Sequence, residues 1–124
     1  MSETSPQTIV SAYLDAVEAR DFERARGYLS DKYFEYRSPI LNSDNPDEFI
    51  NNISPIGPIL ERIERRHTFV DGHHVCSILR FITSWSSPTP TDAVQWCQVK
   101  DGKIRRIETF FDARAYREMF IQDD

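Results

Sequence analysis

Cysteine is scarce in this 124-residue chain: Cys76 and Cys97 are the only two. Neither belongs to a C-x-x-C pair and neither has a histidine at ligand spacing, so the sequence reads as two free buried thiols and not as a zinc knuckle or a disulfide scaffold. Long apolar runs are missing too. Nothing approaches the roughly 18 residues of a membrane span. The opening segment carries Glu3, Asp15 and Glu18 without the charged-then-apolar order of a signal peptide, which makes a reducing cytoplasm the expected compartment. Positive charge is in deficit, with a formal net charge of −5. That balance argues against nucleic acid, whose affinity for proteins comes largely from Lys and Arg neutralising phosphates. No glycine-rich phosphate loop, dinucleotide fingerprint or Ser-His-Asp order appears.

What is present is an ordinary globular composition, 40% hydrophobic and 28% charged, enriched in aromatics at 12%. The length fits one domain over 1–124, with enough chain to bury a core. Arg62, Arg65 and Arg66, then Arg105 and Arg106, form local basic clusters. Glu61, Glu64 and Glu108 are interleaved with them, so they read as paired surface charge and not as an anion site.

The strongest local signal lies between Ala93 and Phe120. Two alternating runs meet at Lys100-Asp101-Gly102-Lys103, and Asp-Gly between such runs is a hairpin signature. Phe110-Phe111-Asp112 closes the second strand, and a helical pattern begins at Ala113. Upstream, Ser5-Pro6 starts a helix whose stripe is Ile9, Val10, Tyr13, Leu14 and Val17. Asp21 caps a second helix with Phe22, Ala25 and Leu29 on one face, ended by Ser30-Asp31. Tyr33 to Arg37 alternates as a short strand that stops at Ser38-Pro39.

Four prolines between Ser38 and Pro58 exclude a long element there. Asn45-Pro46-Asp47-Glu48 starts one short, lid-like helix with Phe49, Ile50 and Ile53 inward. Two long strands follow, Leu60 to Val70 and His74 to Trp85. Pro88 and Pro90 predict an open loop before the strands Asp92 to Val99 and Lys103 to Phe111. Helices on one face of a long antiparallel meander make an α+β fold with a hollow beneath the curved sheet.

Tyr13-Leu14 in the first helix, Arg20-Asp21-Phe22, Tyr28-Leu29-Ser30-Asp31 and the terminal Lys-Asp-Gly-Lys-Ile…Phe-Phe-Asp pattern resemble the NTF2-like superfamily. Within it the chain is most similar to the SnoaL-like polyketide cyclases and the ketosteroid-isomerase-like proteins. That resemblance implies a cone-shaped fold with a pocket between helices and sheet. It also implies that Tyr13 stands where the isomerases carry an oxyanion tyrosine. A core tyrosine on the apolar stripe is the alternative. The isomerase base, an Asp before a Pro, falls on Ser38, and the second oxyanion donor falls on Gln95. A serine without a base cannot take a proton from carbon, whereas Gln95 still offers a hydrogen bond. The acid of the related epoxide hydrolases falls on Thr109.

Alternation along the strands places Ala93, Gln95, Cys97 and Val99 on one face and Val94, Trp96 and Gln98 on the other. A bulged turn sets Gln95 opposite Ile107, a tight two-residue turn sets it opposite Glu108, and the bulged form is preferred because it lines the hollow with Ile107, Thr109 and Phe111. Tyr13 and Gln95 are therefore the candidate catalytic or anchoring pair. Tyr36, Arg37 and Ser38 form the expected rim, and Phe49, Ser77, Thr109 and Phe111 the walls. Asp112 reads as a helix cap in preference to a base. His67, His73 and His74 lack the spacing of a metal site, and neither metal nor cofactor is expected.

Two functions follow. One is a pocket for a small hydrophobic carbonyl compound, with isomerisation, cyclisation or dehydration as its chemistry. The other is a non-catalytic binding or dimerisation module. An outward strip of Val94, Trp96, Ile104 and Phe110 predicts a homodimer through the sheet face.

Overall fold

In a computed structural model of the chain, residues 5–84 and 88–114 are described. Helix α1 (Pro6–Glu18) starts where Ser5 accepts the Thr8 amide, as its N-cap position requires, and buries the whole predicted stripe together with Ala16. Helix α2 (Phe22–Arg26) is capped by Asp21, but it stops short of the expected Ser30. The sheet captures the chain first: Leu29 bridges Ile104, the Ser30 amide donates to the Ile104 carbonyl and the Ile104 amide to that of Tyr28. Strand β1 (Glu35–Arg37) likewise begins two residues late, because the Tyr33 amide is held in a turn by the Ser30 hydroxyl.

After a two-residue strand β2 (Asn42–Ser43), helix α3 (Pro46–Ile53) forms on the Asn45 cap and runs into a 3₁₀ helix, Ser54–Ile59. Arg20 fastens this segment to α1. Its φ is +63°, a left-handed conformation that costs a non-glycine residue about 1 kcal/mol or more. Its guanidinium donates to the Gly57 carbonyl at 2.8 Å and to that of Leu60.

Strands β3 (Leu60–Asp71), β4 (His74–Ser84), β5 (Pro88–Lys100) and β6 (Lys103–Phe111) make the antiparallel meander. The sheet order is β2-β1-β6-β5-β4-β3, with β1 parallel to β6. The loop expected at Pro88 and Pro90 is instead strand, and Pro90 sits opposite Ile82. β6 ends opposite Ala93, so this stretch of β5 has β4 on one side only and proline's missing donor costs it no second ladder. The helix expected from Ala113 lies almost wholly outside the described residues. Asp112 does accept the Arg114 amide, as a cap would.

The Lys100–Lys103 hairpin departs from both expected registers. Asp101 and Gly102 have φ of +56° and +76°, a tight two-residue turn, and a bulge then follows at Gln98/Val99 with Arg105 as the extra residue. Gln95 therefore faces Thr109 and not Ile107. The two-residue slip preserves parity, so Ile107, Thr109 and Phe111 remain on the concave side. The bulge also overturns one surface assignment: Ile104 is fully buried and does not belong to an outward strip. Leu79, Ile107, Val75 and Cys97 supply the sheet's side of the core beneath α1.

Candidate functional site

A cavity of about 300 Å³ opens between α1, the α3–3₁₀ segment and the concave face of the sheet. That is the lower end of the volumes that hold small ligands, about 300–1,000 Å³. Its wall is mostly apolar and includes Leu14 and Val17 from α1, Phe49 and Ile53 from α3, Ile56 from the 3₁₀ helix and Phe81 from β4. Tyr36 and Phe49 pack ring to ring at 4.4 Å, which fixes the lid helix against β1.

Polar groups converge from α1, β1, β5 and β6. The Tyr13 side chain is 3% exposed, and its hydroxyl makes no hydrogen bond among the described residues. Burial, with Tyr36 and Cys97 alongside, pushes this phenol well above its ordinary value, so it stays a neutral donor. Burial also raises Tyr36, against the opposing influence of the Thr109 and Ser38 hydroxyls. Gln95 is 6% exposed. Its Nε2 donates to Thr109 Oγ1 at a long 3.4 Å, and its Oε1 accepts weakly from Cys97 Sγ at 3.9 Å. An amide with two donors and two lone pairs keeps capacity for a ligand after those bonds.

Ser38 lines the cavity but is spent structurally. Its hydroxyl donates to the Leu41 carbonyl and accepts the Ile40 and Leu41 amides, at 3.1–3.3 Å. No Asp, Glu, His, Lys or Arg is among the described residues lining the cavity.

Of the residues expected at the site, Tyr13, Gln95, Tyr36, Ser38, Phe49, Thr109 and Phe111 come together here. Arg37 does not. Strand alternation turns it to the opposite face from Tyr36, where it pairs with Glu35 at 2.9 Å and Asp44 at 3.0 Å. Ser77 is buried opposite Gln95 in the β4–β5 register but lies outside the cavity wall. Asp112 is exposed and ion-paired with Arg114, which holds its carboxyl down at about 2.

The sequence reading missed Phe81, Thr83 and Thr91, which continue the inward alternation of Leu79 and Ala93. It also missed Ile40, Leu41, Asn52 and Ile56, whose segment carries no period that would show it folding over the mouth.

Neither a protein-family model nor a curated protein matches the chain. Solved structures do. An NTF2-like protein from Cytophaga hutchinsonii aligns with a TM-score of 0.81 at 16% identity, over 93% of this chain and 96% of its own. TerC, co-crystallised with polyporic acid, aligns at 0.79 and 17%, over 93% and 97%. A protein of ketosteroid isomerase-like fold from Catenulispora acidiphila, in complex with trimethylamine, aligns at 0.74 and 12%, over 88% of each chain.

Proposed function

We propose that this chain, which has the cone-shaped NTF2-like fold, binds a small uncharged compound in its cavity, with an acceptor oxygen such as a carbonyl at Tyr13 and Gln95. The observation that carries the reading is the buried Tyr13 hydroxyl, which has no hydrogen-bond partner of its own among the described residues and faces an apolar chamber. A hydroxyl that opens onto an apolar chamber and is not committed within the protein is available to an acceptor oxygen brought by a ligand. The ligands held by two of the structural neighbours support a binding role.

Isomerisation, cyclisation or dehydration of a carbonyl compound, as in the SnoaL-like branch, would draw on the same two donors to stabilise an enolate. Such chemistry also needs a base, and the described lining residues offer none. Binding is therefore the reading these residues favour. The convex face supports a second element of the proposal, a homodimer. Val94 and Phe110 are cross-strand neighbours, both exposed, beside a half-buried Trp96 whose indole N–H donates to His74.

Calorimetric titration with 1-tetralone and with tetralin, its hydrocarbon analogue, tests the site. Tetralone is expected to bind tighter, and Gln95→Leu to weaken tetralone more than Tyr36→Phe does while leaving tetralin unchanged. Equal affinity for the two probes would remove the polar anchor.

A further inference from the structure

Strand β3 forms one border of the sheet. Its first half is covered from the side, where Glu18 Oε2 accepts the Ile63 amide at 2.9 Å and Arg65 reaches Asp15 at 2.6 Å and Ser11 at 3.1 Å. The second half extends past that cover. From Arg65 to Asp71 every residue is exposed, Phe69 at 59% and Val70 at 48%. The other border, β2, is only two residues long.

The backbone of this projecting stretch can be read from its turn. Asp71 pairs with His74 across Gly72-His73, and Gly72 has φ of +60°. In such two-residue hairpins the closing residues form a hydrogen-bonded pair, and the pattern alternates from there. Asp71, Phe69 and His67 therefore direct their amides and carbonyls to β4, whereas Thr68 and Val70 direct theirs outward. Neither has a backbone partner on that side among the described residues. Edges of this kind are ordinarily blunted by Lys, Pro or a covering loop. Here the edge reads His-Thr-Phe-Val, all but the first strong strand formers.

We infer that this edge pairs antiparallel with the same edge of a second copy, about a two-fold axis at Phe69, continuing the sheet from one molecule into the other. Thr68 of each copy meets Val70 of the other in a hydrogen-bonded pair, which uses all of the outward groups. The Phe69 rings meet across the axis, where opposed residues lie closest. His67 stands opposite Asp71 twice, on the convex side, where His67 already stacks on Phe69 with ring centroids 6.3 Å apart. Asp71 has no ion-pair partner in its own chain among the described residues. The antiparallel arrangement also brings the Arg66-His67 end of one strand against the Asp71 end of the other. An axis moved to Thr68 would put the bulge at Arg65/His67 opposite Val70, and one moved to Val70 would run into the turn. The second copy is thus the partner whose sequence complements this edge.

Amide hydrogen exchange on the full chain, from micromolar to millimolar concentration, reads the contact directly. The Thr68 and Val70 amides are expected to slow by about tenfold or more as concentration rises, while exposed turn amides do not. Sedimentation of variants separates this edge from the convex face. Thr68→Pro removes an outward donor without breaking a bond to β4, and is expected to halve the mass of the largest species, as is Val70→Lys. Phe110→Glu is expected to leave the concentration-dependent protection of Thr68 and Val70 intact. Concentration-independent exchange at both amides would overturn the inference, and so would Thr68→Pro and Val70→Lys variants that sediment like the unmodified chain throughout.

Discussion

Tyr13→Phe separates a binding tyrosine from a core tyrosine, because the two roles predict opposite results in two assays. A buried tyrosine whose hydroxyl is bonded within the protein loses about 1 kcal/mol on conversion to Phe. In a domain of this size that is a fall of about 4 °C in thermal midpoint. Tyr13 has no such bond among the described residues, and the ring itself, part of the same buried core as Leu14, Val17 and Tyr36, is unchanged by the substitution. The folded protein therefore gives up little, since the hydroxyl opens onto the cavity and holds no bond within the protein that the substitution would break. The thermal midpoint is expected to stay nearly the same. Binding should weaken. Loss of one neutral hydrogen bond to a ligand oxygen is worth about 0.5–1.5 kcal/mol, a 2- to 10-fold weaker Kd for tetralone, with no change for tetralin. Scanning calorimetry and isothermal titration on the same two proteins decide it. A midpoint lowered by several degrees together with unchanged tetralone affinity would refute the reasoning and return Tyr13 to the core.

Alkaline stability should report the buried groups. Burial raises the Cys97 thiol from 9.0 to about 12, so its contribution is complete below pH 9.0 and is lost as pH rises through 12, at a slope approaching 1.4 kcal/mol per pH unit; urea melts of Cys97→Ala across that window are expected to be flatter. Gly102→Ala places a side chain at a φ of +76° and is expected to lower stability by about 1 kcal/mol in the same melts. Arg20→Ala removes the tie to the Gly57 and Leu60 carbonyls; a loss of about 1.5–3 kcal/mol is expected, with faster amide exchange across the 3₁₀ helix Ser54–Ile59. Phe110→Glu puts a charge at the centre of the exposed convex strip and is expected to abolish the face-to-face dimer in sedimentation, whereas an unchanged mass would place that interface elsewhere.

The sequence by itself determined the helix starts, most of the strands and the face that most strand residues take. Ser5, Asp21 and Asn45 cap the three helices because a short polar side chain next to the first turn can take orphan amides wherever the helix goes. The inward set of Gln95, Cys97, Ile107 and Thr109 followed from a period of two, which survives any even slip in register. Tertiary structure decided what depended on competition or on distance in the chain. Leu29 went to the sheet and not to α2 because Ile104, 75 residues away, offered backbone partners. The bulge at Arg105 turned Ile104 inward and set Gln95 opposite Thr109, a choice that no hairpin pattern records. The cavity wall, too, was only half legible. Strand alternation marked its floor, but the roof formed by Ile40, Leu41, Asn52 and Ile56 depends on Arg20 and Phe49 holding a proline-rich segment over the mouth. Local patterning records which way a residue faces; whether that face meets a neighbour, a ligand or water is set by parts of the chain that periodicity cannot bring together.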